Sequence, residues 1–271
     1  MSGVKKQGFN MKRIIAAVIL LPLLISYIYF LPPQPFFLFL LIGIGMISMH
    51  EFYKMYNVPA LLAVPGVLIG GTLFYFFCRY PHYSLEGIFV GLLLLMVLRL
   101  LMISNPSGSM SDLGPLGVGL FYISGFLSFQ WFIRKADSGM NYIFLLYVSV
   151  WLADSMAYYI GKYLGRNKLY PSMSPNKTIE GALGSVLGGM VGALLIQSML
   201  DISDMTATGA IMTGAVLGIA TIIGDLIESM FKRDAGVKDS SSLIPGHGGL
   251  LDKLDGMLVA GPILFFIVRY S

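Results

Sequence analysis

The chain has 271 residues, of which 56% are apolar and a further 32 are glycine, while only 12% are charged. An average soluble domain carries about 25% charge, so a water-covered globular surface, a disordered chain and, with the single Cys78, a disulfide-stapled module are all excluded. What remains is a polytopic membrane protein with a modest net charge of +4.

A spanning helix needs about 20 mostly apolar residues. Nine such stretches are predicted, near 14–31, 36–50, 61–78, 84–103, 114–133, 141–161, 181–200, 207–231 and 256–270. The fold class is therefore all-α, a membrane helix bundle of about nine transmembrane helices. The runs are continuously apolar and do not alternate, which argues against a β-barrel. The second is short enough to be tilted or re-entrant. Lys5, Lys6, Lys12 and Arg13 precede the first run, as in a signal peptide, but no small-x-small cleavage pattern follows. An uncleaved first helix is expected.

With nine spans, the N-terminus and the even-numbered loops share one side. That side carries thirteen Lys and Arg residues. The other side carries four, Arg79, Arg134, Lys135 and Arg269, with Arg99 ambiguous inside the fourth span. Positive charge stays inside. The N-terminus and the basic loops are thus expected in the cytoplasm, in a bacterial inner membrane. Residues 1–135 read as a packing and dimer scaffold and residues 136–271 as the catalytic region.

Two glycine rows stand out. Gly184, Gly188 and Gly192 recur every four residues in the seventh span, and Gly214 and Gly218 in the eighth. Small residues at this spacing let helix backbones approach closely, in bundle packing or at a subunit interface.

The chemistry concentrates in the sixth and eighth loops. Asp154 lies about seven residues inside the sixth span, where a carboxylate costs about 2.5–3.5 kcal/mol. Either a structural partner such as Tyr158 or a water-filled cavity holding a cation or substrate must compensate. Asp225, Ser229 and Lys232 fall at i, i+4 and i+7, on one helix face. Asp252 and Asp255 share a face at the start of the ninth span. Carboxylates without cysteine suit Mg²⁺ better than zinc, although acids at a helix N-terminus are expected from its dipole alone.

Lys162, Arg166, Lys168, Lys177, Lys232, Arg233 and Lys238 lie on the same side as these acids. The turn Pro245-Gly246-His247-Gly248-Gly249 offers backbone N–H groups that cradle phosphate. Thr178, ahead of Glu180 and Gly181, reads either as a helix cap or as a phosphate contact. No Walker sequence and no Ser/His/Asp or Cys/His arrangement is present. The residues alone point to a membrane enzyme that handles a phosphorylated, nucleotide-type substrate with Mg²⁺ and a lipid acceptor.

Ser229-x-x-Lys232-Arg233-x-x-x-x-Lys238-Asp239, followed by Pro245-x-His247-Gly248-Gly249-x-x-Asp252-x-x-Asp255, resembles the signature of the CDP-diacylglycerol synthases (phosphatidate cytidylyltransferases). Asp154-x-x-Ala157-Tyr158-x-x-Gly161-Lys162 and Ser174-Pro175-Asn176-Lys177-Thr178-x-Glu180-Gly181 are similar to the same family. Lys253 departs from it, standing where the family usually has Arg, which keeps the charge and loses the bidentate fork.

The resemblance implies that CTP and phosphatidic acid give CDP-diacylglycerol and pyrophosphate, the lipid phosphate attacking the α-phosphorus directly. It implies Asp225, Asp252 and Asp255, with Asp154, as the Mg²⁺ set. It implies Lys177, Lys232, Arg233 and Lys238 as phosphate holders and His247 as a phosphate or water contact. Lys162, Arg166, Ser174, Thr178, Ser229, Gly248 and Gly249 complete the substrate-binding set. The partners implied are CTP, phosphatidic acid, membrane lipids and a second copy of the chain, with no nucleic acid. Three rivals remain. A CTP-dependent lipid kinase would release CDP, and a cation- or proton-coupled transporter would need a polar path to both sides. A CDP-alcohol phosphotransferase would need D-G-x-x-A-R, whereas Asp255-Gly256 is followed by Met257, Leu258, Val259 and Ala260.

Overall fold

A computed structural model of the chain describes residues 22–200, 202, 205–243 and 248–270. Residues 22–30 are helical. The basic residues ahead of them, residues 14–21 of the predicted first span, and Pro245, Gly246 and His247 lie outside the described residues.

The helices follow in chain order. A π-helical turn, Pro33–Phe37, runs into α1 (Leu38–Met55), followed by α2 (Ala60–Arg79) and α3 (Ser84–Met102). Next, α4 (Ser109–Gly119) continues through a π-helical stretch, Leu120–Gly125, into α5 (Phe126–Lys135). The last four are α6 (Gly139–Tyr163), α7 (Ile179–Leu200), α8 (Ala207–Asp234) and α9 (Asp255–Tyr270). In lipid each backbone N–H and C=O must be satisfied inside its own segment, and the apolar runs therefore fold as continuous helices.

Seven of these segments, among the described residues, are long and apolar enough to cross a membrane: Pro33–Met55, Ala60–Arg79, Pro81–Met102, Ser109–Lys135, Gly139–Tyr163, Ile179–Leu200 and Ala207–Asp234. They coincide with the predicted second to eighth spans and are mostly longer at their ends. The second is a full 23 residues and not the short element expected. The predicted ninth span is α9, which at 16 residues is about 24 Å long, short of a typical hydrocarbon core. It packs on α5, α6 and α8.

No strand is expected from the sequence pattern, but the sixth loop holds a small antiparallel hairpin, β1 (Lys168–Tyr170) and β2 (Ser174–Thr178). Arg99 is 4% exposed and engages four acceptors. It pairs with Asp112 at 2.6 Å and donates to the Ile103, Asn105 and Ser107 carbonyls.

The glycine rows are internal seams. A Cβ on Gly188 would run into the Leu152 carbonyl of α6, and one on Gly189 into the Gly214 carbonyl of α8. The α7 backbone is thereby wedged against both neighbours, with the Ser185 hydroxyl donating to the Gly218 carbonyl at 3.1 Å. A third tight crossing sets Gly224 of α8 against the Asp255 carbonyl of α9. These approaches place the polar ends of α6, α7, α8 and α9 around one hollow.

Candidate active site

That hollow is a cleft of about 710 Å³ at the end of the bundle where α6 and α8 finish and α9 begins. Asp154, Lys162, Lys177, Asp225, Glu228, Lys232, Asp252, Lys253 and Asp255 line it, together with Tyr158, Gly161, Asn176, Thr178, Gly181 and Ser185. Asp154 is open to the cavity, so its burial in the bilayer is relieved by a polar space and not by a partner on its own helix.

One oxygen from each of Asp225, Glu228 and Asp255 lies within 4.8 Å of the others. The i, i+3 spacing on α8 supplies two of them, and the close α8–α9 crossing at Gly224 brings in the third. Glu228 is 1% exposed; its Oε2 takes the Lys232 ammonium at 2.8 Å, and its Oε1 has no hydrogen-bond partner. A buried carboxylate oxygen without a partner costs free energy unless something cationic meets it. Three carboxylates that each offer an oxygen within 4.8 Å of the others, one of them with an unpaired buried oxygen, fit a metal ion of the Mg²⁺ or Ca²⁺ type.

Asp252 stands beside this trio but turns away from it. Oδ1 binds Lys232 at 2.7 Å, while Oδ2 accepts the Ser240 hydroxyl at 2.8 Å, the Ser240 N–H at 3.0 Å and the Gly249 N–H at 2.7 Å. Both oxygens are thus occupied. Burial alone would raise this carboxyl, but the Lys232 hydrogen bond and charge and the Gly249 N–H hold it down at about 2. Since the ordinary value is 3.8, the stabilisation is complete above about pH 4 and is lost as pH falls toward 2. The destabilisation caused by Asp252→Asn should therefore be equal at about pH 5 and pH 7 and shrink only below about pH 4, as read by melting in detergent.

The remaining predicted residues divide by position. Lys177 pairs with Asp225 at 2.7 Å inside the cleft. The Ser229 hydroxyl reaches Asp225 Oδ1 at 3.4 Å. Lys232, placed on the Asp225 face by spacing, engages Glu228 and Asp252 instead. Lys162 lies against the Tyr158 and Tyr163 rings. Thr178 caps α7, its hydroxyl accepting the Gly181 N–H at 3.1 Å. Exposed Arg233 ties the hairpin to the eighth loop, donating to the Met173 and Val237 carbonyls. Arg166, Ser174 and Lys238 do not line the cleft; the Arg166 N–H donates to Glu180. His247 lies outside the described residues.

The glycine turn also departs from expectation. The N–H groups of Gly249, Leu250 and Leu251 are taken by Asp252 and Glu51 and are not free for phosphate. Gly248 has φ +86°, and a Cβ there would sit 2.6 Å from Asp252 Oδ2. A Cβ on Gly249 would strike Ser240 and Glu51. The two glycines make room for two buried carboxylates.

Sequence reasoning gave no site role to Glu228 or Glu51. Glu228 was visible as the i+3 partner of Asp225. Glu51 fell one residue past the predicted second span and read as a loop acid, whereas α1 continues to Met55 and buries it.

The sequence profile of the cytidylyltransferase family matches residues 11–271. A phosphatidate cytidylyltransferase of Bacillus subtilis is 32% identical over 269 residues, 96% of this chain and 98% of the relative. One from Staphylococcus epidermidis is 34% identical over 257 residues, 93% and 94% of the two chains. One from Synechocystis is 42% identical over 159 residues, 57% of this chain and 52% of the relative.

Proposed function

The chain belongs to the cytidylyltransferase family, and from that premise we propose that its cleft transfers the cytidylyl group of CTP to phosphatidic acid, giving CDP-diacylglycerol and pyrophosphate. It is a multi-pass membrane nucleotidyltransferase. The observation that carries the site assignment is the meeting of three carboxylate oxygens and four lysines in one cleft that opens within a membrane bundle. Neither the kinase nor the transporter reading gains support.

In this reading Asp225, Glu228 and Asp255 hold Mg²⁺, with Asp154 facing the same space. When bound, the ion neutralises charge on the phosphate oxygens. The chain's own part is positioning and electrostatics. Lys177 and Lys253 face the triphosphate, and Lys232 offers its third N–H, two being used on Glu228 and Asp252. An oxygen of the lipid phosphate bonds to the α-phosphorus as the bond to the β-phosphate oxygen breaks, and pyrophosphate leaves. Holding two anions in line against their repulsion is the main task.

The concentration of cations at this end supports a cytoplasmic cleft, with the N-terminus inside and the host membrane a bacterial inner membrane. Every residue lining the cleft falls between 154 and 255, which supports residues 136–271 as the catalytic region and 1–135 as scaffold. A homodimer is expected from the family, and α3, in a span only 22% buried, has the most uncovered apolar surface.

The test supplies base-labelled CTP with either phosphatidic acid or diacylglycerol. Label should enter lipid only with phosphatidic acid, pyrophosphate should appear in equal amount, and a chelator should stop both. Labelled CDP released with diacylglycerol would select the kinase instead.

A further inference from the structure

Glu51 lies on α1, outside the cleft, and is 3% exposed. Its carboxylate gathers three donors from the eighth loop, with the Ser240 hydroxyl as a fourth, longer contact. Oε1 accepts the Ser241 hydroxyl at 2.6 Å and the Leu250 N–H at 3.0 Å. Oε2 accepts the Leu251 N–H at 2.8 Å and lies 3.4 Å from the Ser240 hydroxyl. Among the described residues no Lys or Arg pairs with it; its charge is met by backbone and hydroxyl dipoles of a single turn.

From this anchor a continuous chain of polar contacts runs to the acidic trio. The Ser240 hydroxyl reaches Asp252 Oδ2 at 2.8 Å, Asp252 Oδ1 meets Lys232 at 2.7 Å, and Lys232 meets Glu228 Oε2 at 2.8 Å. Glu228 Oε1 has no hydrogen-bond partner, and one oxygen of the Glu228 carboxylate lies within 4.8 Å of an oxygen of Asp225 and of Asp255.

We propose that Glu51 is a positioning residue for the divalent-ion site. It fixes the Leu250–Asp252 turn, and Asp252 then holds Lys232 on one oxygen of Glu228 so that the other faces the ion. This rests on the ion-site reading above. A carboxylate is required because both oxygens face donors. A glutamine would turn its own N–H groups on one pair of them, and the Leu250 and Leu251 N–H groups cannot rotate away. Groups that orient ligands from behind are worth about 10–100-fold in metal affinity.

The experiment titrates Mn²⁺ into the full chain in detergent and reads free Mn²⁺ by electron paramagnetic resonance, alongside a melting curve. Wild type should bind Mn²⁺, and Asp255→Asn should abolish binding. Glu51→Gln should weaken binding by about 10–100-fold. Tyr56→Phe is the control: it removes the hydroxyl contacts from the same end of α1 to the Phe231 carbonyl and Asp234, outside the chain of contacts. It should leave Mn²⁺ affinity unchanged.

If wild type binds no Mn²⁺, the ion site itself fails and Glu51's role fails with it. If wild type binds and Glu51→Gln matches it, the ion site stands and the role of Glu51 is overturned. Equal weakening in Tyr56→Phe would also overturn it, since any loosening of α1 would then suffice. Should Glu51→Gln not fold, Ser240→Ala takes its place: it removes the hydroxyl that bridges Glu51 and Asp252 and leaves both carboxylates their backbone donors. Wild-type affinity in Ser240→Ala would overturn the proposal, and weakening would sustain it.

Discussion

Asp225→Asn should lower kcat at saturating CTP by about 10³-fold or more and leave the chain folded. The side chain is 37% exposed and faces the cleft, so an amide of the same shape disturbs no packing. What it removes is charge. The trio loses one of three carboxylates, and Lys177 loses the partner that holds it at 2.7 Å. A metal on a transferring phosphate is worth several kcal/mol of transition-state stabilisation, and about 4 kcal/mol corresponds to 10³-fold. Steady-state kinetics over a Mg²⁺ series decides the matter. Recovery of the wild-type rate at high Mg²⁺ would reduce Asp225 to an affinity residue, and a near-normal rate throughout would remove it from the site. Unchanged melting behaviour in detergent separates this loss from misfolding.

The helices were legible because lipid simplifies the problem. A segment of about 20 apolar residues has one way to satisfy its backbone, and 141–161 or 181–200 needed only that rule. The reach of α1 past residue 50 was not legible, because Glu51 and Lys54 are charged residues beyond the apolar run, and only the burial and contacts of Glu51 place it within the helix. The hairpin at Lys168–Thr178 escaped for a related reason: five residues reading Ser-Pro-Asn-Lys-Thr have no strand pattern, and pairing came from the turn at 171–173.

The acids were legible as a group but not in their pairings. Spacing put Asp225 and Lys232 on one helix face and Asp252 and Asp255 on another, but Asp252 lies in a separate 3₁₀ turn, Leu251–Lys253, ahead of α9. Side chains then sorted themselves by distance across helices. Asp255 was drawn to Asp225 and Glu228 by the Gly224 crossing, while Asp252, one turn earlier, met Lys232 and the Ser240 turn. Periodicity along one helix carries no information about which carboxylate on the next helix arrives first.

Lys232 is the residue where both kinds of consequence meet. Its side chain is 12% exposed and sits between Glu228 at 1% and Asp252 at 10%. Lys232→Met keeps the length and the apolar stem but leaves two buried carboxylates facing each other without a cation. Removing one partner of a buried ion pair costs about 3–5 kcal/mol. For a chain of this size that is a fall of about 10 °C in melting temperature. Activity should vanish as well, since Lys232 lines the cleft and, with two N–H groups on Glu228 and Asp252, has a third to offer a phosphate under the proposed function. Stability and activity separate in the triple variant Lys232→Met, Glu228→Gln, Asp252→Asn, whose neutral amides no longer repel. Its melting temperature should recover most of the loss while turnover stays absent. If Lys232→Met melted with wild type, the two acids would be screened by cleft water and Lys232 would act on substrate alone. If the triple variant regained turnover, the cation itself would be dispensable, and the cleft would have to hold its phosphates by Lys177 and Lys253.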